Sequence, residues 1–519
     1  MSSNLRVTRN PSESWTIAAL AALTFIVCYL RGFVFPHTPI LLWGDQLGFA
    51  TKGARLLRGE LPYRDFFEFL TPGTDLVYAG LFRFLDASPW IPNLVMAFLA
   101  AAMTAMMTWC AMRLMRGAIA LLPAALMIGF VLYGSLDATH HWFSTVLIMG
   151  AVCVLFNGAS AWRIALAGAL IGCAASFTQT KGAAMAVGLM VYFIWLSVRE
   201  NSGTAQDWRL GWKRCLLFAS SALLIFAAIN GSFILAAGVH HWIEDVIVFP
   251  ARYFGSVPIN NWRGTWPEFR HRAGALKWIC FPFIYCAVPL AYIGFFVAMR
   301  RKSNATSDAN PADRWDRLLL IAIAGIAMLA VMMPALSIRR ISCVSPPAMI
   351  LLAWLLSRDG KMRQCIAIGL GIVSLAVALS QVSVMQFRPG QFVTLSTGRT
   401  AIPDPANYEV YRWTAEHTRP GQWYFGLSPF TLPLGLRDAA AVEGLGPGDY
   451  SRPEQVAAVI VALEKTQPPL MIVLSEQYFL YQQATGANHL RPFYEYLYRH
   501  YKRTQRFPNG FEAWERTLE

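Results

Sequence analysis

Apolar residues fall in long uninterrupted runs along roughly the first three quarters of this 519-residue chain, and polar residues fill the gaps between the runs. A run of about 20 apolar residues crosses a hydrocarbon core of roughly 30 Å. The pattern therefore predicts an α-helical polytopic membrane protein with about eleven transmembrane helices. The predicted spans lie near 15–35, 91–112, 117–135, 142–156, 164–178, 182–198, 215–238, 278–299, 318–336, 342–357 and 365–387.

The pattern changes after the last apolar run. The stretches "QWYFGL" and "PLMIVLS" are typical of buried strands, and a helix is predicted between them from Pro453 to Lys465. "RPFYEYLYRHY" predicts another helix, and "KRTQRF" and "GFEAWER" flank a Pro-Asn-Gly turn as in a hairpin. We therefore predict an N-terminal segment 1–14, a transmembrane domain 15–387 and a small C-terminal α/β domain 388–519.

Charge sets the orientation of the spans. The chain is 55% hydrophobic and only 14% charged. With a cytosolic N-terminus, Lys and Arg are about twice as dense in the predicted cytosolic loops as in the opposite loops, as the positive-inside rule requires. An odd number of spans then puts the C-terminal domain on the extracytoplasmic side. We expect a multi-pass protein of the cell inner (plasma) membrane, in contact with membrane lipid.

Composition also excludes two classes of site. The net charge of +14 belongs to the membrane part, because the C-terminal domain has equal numbers of basic and acidic residues. No basic soluble module is left for nucleic acid, so we expect no nucleic-acid partner. All nine cysteines precede the C-terminal domain and none has metal-finger spacing. We predict no metal ligands; a divalent cation is possible but the sequence does not require one.

Two predicted extracytoplasmic loops are long, 36–90 and 239–277. In the first loop, Asp45 precedes a predicted amphipathic helix from Gln46 to Leu57, with Arg55 on its polar side; such a helix can lie in the membrane interface. An ionisable residue near membrane depth is a functional candidate. The alternative is that Asp45 only caps this helix.

The same loop contains "LLRGELPYRDFFEFLTPG", which places Arg64, Asp65 and Glu68 beside aromatic residues. This mixture suits an interfacial groove that binds polar groups next to acyl chains. The alternative is a loop whose charges pair with one another.

Positive residues in the short extracytoplasmic turns run against the topology rule. Lys181 lies in "TQTKG", and Arg339 and Arg340 lie in "SIRRIS". A bound anion such as the phosphate of a lipid carrier would explain them, because Arg offers a planar fork of donors and Lys a point charge. The alternative is snorkelling to lipid headgroups.

The turn after the third span carries Asp137, His140 and His141. Adjacent histidines on a helix are expected to point apart. No third ligand is evident, so this turn is not favoured as a metal site. Asp137 and His140 remain auxiliary candidates for the functional site.

These features together resemble the GT-C fold glycosyltransferases, in particular the bacterial branch related to protein O-mannosyltransferases and the lipid A aminoarabinose transferase. The resemblance rests on an outside aspartate after the first span, a short helix, then "RGELPYRDF" and "TPG", with "GALIGCAASFTQTKG" later. It covers roughly residues 15–390. By position, Asp45 matches the family's catalytic acidic residue. Many relatives have Asp-Glu there, whereas here Gln46 follows Asp45.

The resemblance implies transfer of a sugar from a polyprenyl-phosphate-linked donor to an envelope glycan, lipid or protein acceptor outside the membrane. Asp45 would then be the general base. Lys181, Arg339 and Arg340 would stabilise the leaving phosphate. The alternative is a transporter or flippase of a lipid-linked or amphipathic solute, although the internal repeats typical of transporters are not evident in the sequence.

Overall fold

The apolar runs form helices in the computed structural model, which describes residues 11–201, 205–257, 260–262, 274–303, 312–358, 360–478 and 487–517. A helix satisfies its backbone hydrogen bonds internally, as a membrane requires. Long stretches of Ala, Leu, Ile and Val give these helices the apolar surface that suits lipid. The helices of this part are Pro11–Gly32, Ile91–Leu114, Ala118–Gly134, His140–Leu155, Ala161–Ala175, Gln179–Asn201, Ala205–Ala237, Ala275–Ser303, Ala312–Met332, Ile338–Val344, Pro346–Leu356 and Lys361–Phe387.

Within the described residues, seven helices are long and apolar enough to cross a membrane. Helices Ile338–Val344 and Pro346–Leu356 are bent by 64° and give an eighth crossing if they are one span. Three further apolar helices are shorter. At 1.5 Å per residue, the 16-residue helix His140–Leu155 covers only about 24 Å. The predicted count of eleven spans includes these three and the bent pair, and it stays a prediction.

Helices Ala161–Ala175 and Ala205–Ala237 pack closely because of two glycines. Gly168 and Gly172 are four residues apart and lie on one helix face. A Cβ atom at Gly168 would collide with the carbonyl of Phe218, and one at Gly172 with the carbonyl of Ala222. Small residues at this spacing let membrane helices approach until their backbones touch.

Both long loops are folded where they are described. The first loop contains the short antiparallel strands β1 (Phe33–Val34) and β2 (Thr38–Pro39), then helices Asp45–Leu57 and Gly73–Phe84. The second loop begins with a helical stretch from Val239 to Arg252, followed by a short turn of helix at Phe254–Ser256. Residues 263–273 of the predicted second loop and part of the predicted cytosolic loop 300–317 lie outside the described residues.

The C-terminal part contains a hairpin and a mixed five-stranded sheet. The sheet has the order β6-β5-β7-β9-β8, with β5 parallel to β6 and β7, and β9 antiparallel to β7 and β8. The predicted strands, helices and closing hairpin are all present. The bounds are β3 Gln391–Leu395, β4 Gly398–Ile402, β5 Trp423–Gly426, β6 Arg437–Asp438, β7 Leu470–Leu474, β8 Tyr501–Arg506 and β9 Phe511–Arg516, with helices Pro405–His417, Pro453–Thr466 and Arg491–His500.

The first loop and the C-terminal sheet share one hydrophobic core. Leu41 and Leu47 of the loop pack in the same cluster as Tyr411 and Phe430. Backbone bonds join the two parts as well, because the Leu41 amide donates to the carbonyl of Ala401 at 2.8 Å. The sheet and the first loop therefore lie on the same side of the membrane.

This contact corrects the predicted position of the first-loop helix. The sequence pattern put Arg55 on the polar side of helix Asp45–Leu57, a side that such a helix exposes. Instead Arg55 is 3% exposed and Leu57 is 42% exposed. The helix packs between helix Gly73–Phe84 and the C-terminal part, which supplies carboxylates to Arg55. A pattern of apolar and polar positions cannot reveal such distant partners.

Candidate functional site

Asp45 is the first residue of its helix, and its carboxylate is exposed. The N-cap position is Gly44, and the helix start has no side-chain capping bond. No hydrogen bond or ion pair joins Asp45 to another residue that the structure describes. Capping therefore does not occupy this carboxylate, which is available to accept a proton.

Arg339 and Asp137 face the same space as Asp45. Gly44 has φ +145°, and a Cβ atom on it would lie 3.2 Å from Nη1 of Arg339. Burial raises the pKa of the Asp137 carboxyl; Arg339 lowers that pKa and the Asp45 carboxylate raises it further. Asp137 also accepts hydrogen bonds from Ser135 and Thr139 at 3.1 and 3.3 Å. Two carboxyl groups and one guanidinium thus meet at the start of the first-loop helix.

The two adjacent arginines have different environments. They lie on helix Ile338–Val344 and not in a turn, because Ser337 caps this helix by accepting from the Arg340 amide. Arg340 donates to the carbonyl of Ala335 and to Oδ1 of Asn260, both at 3.1 Å. No hydrogen bond or ion pair joins Arg339 to another residue in the described part of the chain. Arg340 therefore holds the second long loop, and Arg339 is available to an anion.

Lys181 is fully buried near the start of helix Gln179–Asn201. Its ammonium donates to the carbonyl of His141 at 3.0 Å and to the hydroxyl of Thr145 at 3.1 Å. A lysine in this position cannot snorkel to lipid headgroups, so that alternative does not apply to Lys181. The residue ties two helix starts together.

His140 and His141 do not point apart as expected. Their ring centroids are 3.9 Å apart, and His140 also packs against Phe49 at 5.3 Å. They are the first two residues of helix His140–Leu155, where no preceding helical turn restricts their side chains. Within the described residues no group of three His, Cys, Asp or Glu side chains converges as metal ligands.

The charges of "RGELPYRDFFEF" divide into two sets. Arg64 and Asp65 form a partly exposed ion pair, with Nη2 and Oδ2 2.7 Å apart, which agrees with the structural alternative for this motif. Glu68 is buried and lies 2.6 Å from the ammonium of Lys52 on the first-loop helix. This ion pair therefore fixes the first-loop helix relative to the later part of the same loop.

A cluster of charges between the first loop and the C-terminal part was missed from the sequence. Arg55 pairs with Glu60 at 2.7 Å, and its Nη1 lies 3.9 Å from both Asp438 and Glu443. Burial raises the pKa of Glu443 to about 7, against the opposite effect of Lys52 and Arg55. Glu443 lies almost 400 positions after Arg55, so no local motif could have linked them.

Tyr450 is a second residue that the sequence did not single out. Burial raises its pKa to about 12, and Lys52, Asp45 and Arg340 all act on that pKa electrostatically. The phenol therefore lies within electrostatic range of Asp45. Tyr450 is the candidate contribution of the C-terminal part to the site.

No protein-family model matches the chain, and no curated protein matches it. Solved structures do. ArnT from Cupriavidus metallidurans in the apo state aligns with TM-score 0.60 and 12% identity over 97% of this chain and 98% of that one. The same protein bound to undecaprenyl phosphate aligns with TM-score 0.56 and 11% identity over 98% of this chain and 98% of that one. Oligosaccharyltransferase AglB from Archaeoglobus fulgidus was solved in complex with an inhibitory peptide and a dolichol-phosphate. It aligns with TM-score 0.55 and 11% identity over 98% of this chain and 75% of that one. The chain therefore has the fold of the GT-C glycosyltransferases.

Proposed function

We propose that the chain is a membrane glycosyltransferase, moving a hexosyl or pentosyl group from a polyprenyl-phosphate-linked donor to an envelope glycan, lipid or protein acceptor. The observation that carries this proposal is the Asp45 carboxylate, which has no hydrogen bond or ion pair with a described residue and lies near Arg339 at the start of the first-loop helix. The GT-C fold adds support, since the similar ArnT structure holds undecaprenyl phosphate and the similar AglB structure a dolichol-phosphate.

The reaction is a single displacement at the anomeric carbon of the donor. Asp45 accepts the proton of the acceptor hydroxyl as its oxygen attacks that carbon, and the bond from the carbon to the lipid phosphate oxygen breaks. The polyprenyl phosphate leaves with the electron pair. Attack opposite to the leaving group inverts the anomeric centre. A positioned general base typically contributes about 10²- to 10⁴-fold to such a step.

Arg339 stabilises the negative charge that develops on the leaving phosphate. Its guanidinium offers a planar fork of donors that fits two phosphate oxygens at once. Asp137 orients Arg339 by their electrostatic attraction. Arg340 and Lys181 position other parts of the protein and do not contact the phosphate. Arg340 holds the second long loop, and Lys181 holds the start of helix His140–Leu155.

We assign the reaction to the extracytoplasmic face of the inner membrane. Nucleotide sugars are made in the cytosol, so an enzyme acting outside must receive its activated sugar on a lipid carrier. Tyr450 lies in the C-terminal part, within electrostatic range of Asp45, and this part would cover the acceptor during transfer.

The test is mass spectrometry of lipid-linked sugars and envelope glycans in a strain lacking this chain. We expect a polyprenyl-phosphate sugar to accumulate and one envelope product to lose a sugar. Wild-type protein should restore the product, and Asp45→Asn should not, despite equal protein level in the membrane. An unchanged set of lipid-linked sugars and glycans would overturn the proposal. Accumulation of a lipid-linked sugar on the cytosolic side only would favour a flippase.

A further inference from the structure

Gln46, the residue directly after Asp45, is buried and fully hydrogen-bonded. It is 1% exposed. Its Nε2 donates to Oδ1 of Asn93 at 3.2 Å and to the carbonyl of Leu42 at 3.3 Å. Its Oε1 accepts from the backbone amide of Ala138 at 3.0 Å. Ala138 directly follows Asp137, so one side chain joins the backbone segments that carry the two acids.

Asn93 fixes which way this bridge runs. Both hydrogens of its Nδ2 are used, on the carbonyls of Gly32 and Ile40, each at 2.8 Å. Turning the amide over would aim Oδ1 at two carbonyl oxygens, which cannot donate. The Oδ1 atom must therefore face Gln46 and needs a donor there. A glutamine supplies that donor, whereas a carboxylate at position 46 could not.

We propose that Gln46 and Asn93 form an amide relay that positions Asp45 relative to Asp137, and that the amide at position 46 limits the negative charges at this point to two. The relay ties the end of the first span, the start of the first-loop helix and the turn with Asp137. The role of the relay in transfer rests on the proposed function.

Other ionisable groups surround the site and are the same in every variant. They come from six parts of the chain packed around it, so a charge introduced at position 46 adds to a fixed background. These groups are Arg339, Arg340 and Cys343 from the helix at 338–344, Lys52 from the first-loop helix, Lys181, Tyr78, Tyr450, and the neighbouring His140 and His141.

The chain contains a matched control for Gln46. Gln386 also donates to two acceptors, the carbonyls of Leu30 and Phe33, and accepts from one backbone amide, that of Phe35. It anchors the same end of the first span. However, none of its three bonds reaches the segments that carry Asp45 and Asp137. Substitutions of Gln386 therefore reproduce the loss of bonds without the loss of the relay.

Hydrogen exchange tests the relay without any substrate. In purified, detergent-solubilised full-length protein, Gln46→Met removes the acceptor of the Ala138 amide at nearly unchanged side-chain length. We expect that amide to exchange at least about 10-fold faster than in wild type, since a buried amide without its partner opens more readily. Gln386→Met should leave it unchanged. Equal protection of Ala138 in wild type and Gln46→Met would overturn the relay.

Transfer kinetics test what the relay does for the acids. Gln46→Glu keeps an acceptor for Ala138 but loses the donor to Asn93 Oδ1, so its unfolding midpoint is measured beside its kinetics. We expect kcat to fall about 10- to 100-fold, because small displacements of reacting groups have effects of that size. The acidic limb of the pH–rate profile should move up by about one pH unit, because a third negative charge raises the pKa of neighbouring carboxyls.

The experiment separates failure of the relay from failure of the proposed function. Gln386→Glu should leave the pH–rate profile at its wild-type position. A Gln46→Glu profile identical to that of Gln386→Glu would overturn the positioning role. If wild-type protein transferred no sugar at all, the proposed function would fail, and the exchange of Ala138 would still decide whether the relay exists.

Discussion

At the scale of single residues, the site is defined by which charges are already occupied. Arg340, Lys181 and Glu68 all have hydrogen-bonded partners within the protein. Asp45 and Arg339 have none among the described residues. Among the candidate residues named from the sequence, this distinction favours Asp45 as the proposed base and Arg339 as the proposed phosphate ligand.

The two arginines provide a prediction at this scale. Arg339→Lys should raise the KM for the lipid-linked donor about 10- to 150-fold, because losing one charged hydrogen bond costs about 1.5–3 kcal/mol. Arg340→Lys is the matched variant, and it should affect the donor KM less, because its interactions are with Asn260 and Ala335. The measurement is donor-concentration dependence of transfer by purified protein. Wild-type donor dependence in Arg339→Lys would remove Arg339 from the phosphate site.

The sequence singled out Asp45 as a candidate because its position after the first span is a local feature. It could not separate Arg339 from Arg340, because their difference depends on Asn260 and Gly44, which are distant in the chain. It also failed for His140 and His141, whose rings lie together in the first turn of a helix. Neighbouring side chains point apart when both residues lie in the middle of a helix, but not always in its first turn.

At the scale of elements, the first-loop helix is the center of the site. Its start carries Asp45, its middle carries Lys52 and its end carries Arg55, which meets Asp438 and Glu443 of the C-terminal part. Strands and helices of the C-terminal part were predicted correctly from short-range periodicity. The burial of the first-loop helix was not, because it depends on contacts between residues far apart in sequence.

The buried Glu443 predicts how stability depends on pH. Its pKa of about 7 lies above its ordinary value, so folding favours the protonated acid. Its contribution to stability is therefore complete at acidic pH and is lost as pH rises to about 7. We expect the thermal unfolding midpoint of the solubilised protein to fall between pH 5 and pH 8, and Glu443→Gln to reduce that fall. Exposed Glu464→Gln should not. Parallel curves for wild type and Glu443→Gln would contradict this account.

At the scale of the whole molecule, the first loop and the C-terminal part pack together. They share a core, and Arg55 lies 3.9 Å from Asp438 and Glu443. Apolar run length is a strong signal for membrane helices, and from it the sequence predicted several spans. The close association of the membrane part and the C-terminal part was not predicted, since it depends on side chains that only the folded chain brings together.

Topology gives a prediction at this scale. A cysteine introduced near residue 450 should react with a membrane-impermeant thiol reagent applied from outside the membrane. A cysteine near residue 308, in the predicted cytosolic loop, should react only after permeabilisation. The native cysteines are replaced beforehand so that they do not contribute label. Outside labelling near residue 308, or protection near residue 450, would reverse the orientation and move Asp45 to the cytosolic face.

The central claim is that Asp45 is the base in glycosyl transfer from a polyprenyl-phosphate-linked sugar. Its most direct test is transfer by purified wild-type and Asp45→Asn proteins, with donor and acceptor extracted from a strain that lacks this chain. Asparagine keeps the shape of the side chain but cannot accept the proton. We predict sugar transfer by the wild type and at least about 100-fold slower transfer by Asp45→Asn with the same unfolding midpoint. Transfer by Asp45→Asn at the wild-type rate would contradict the account.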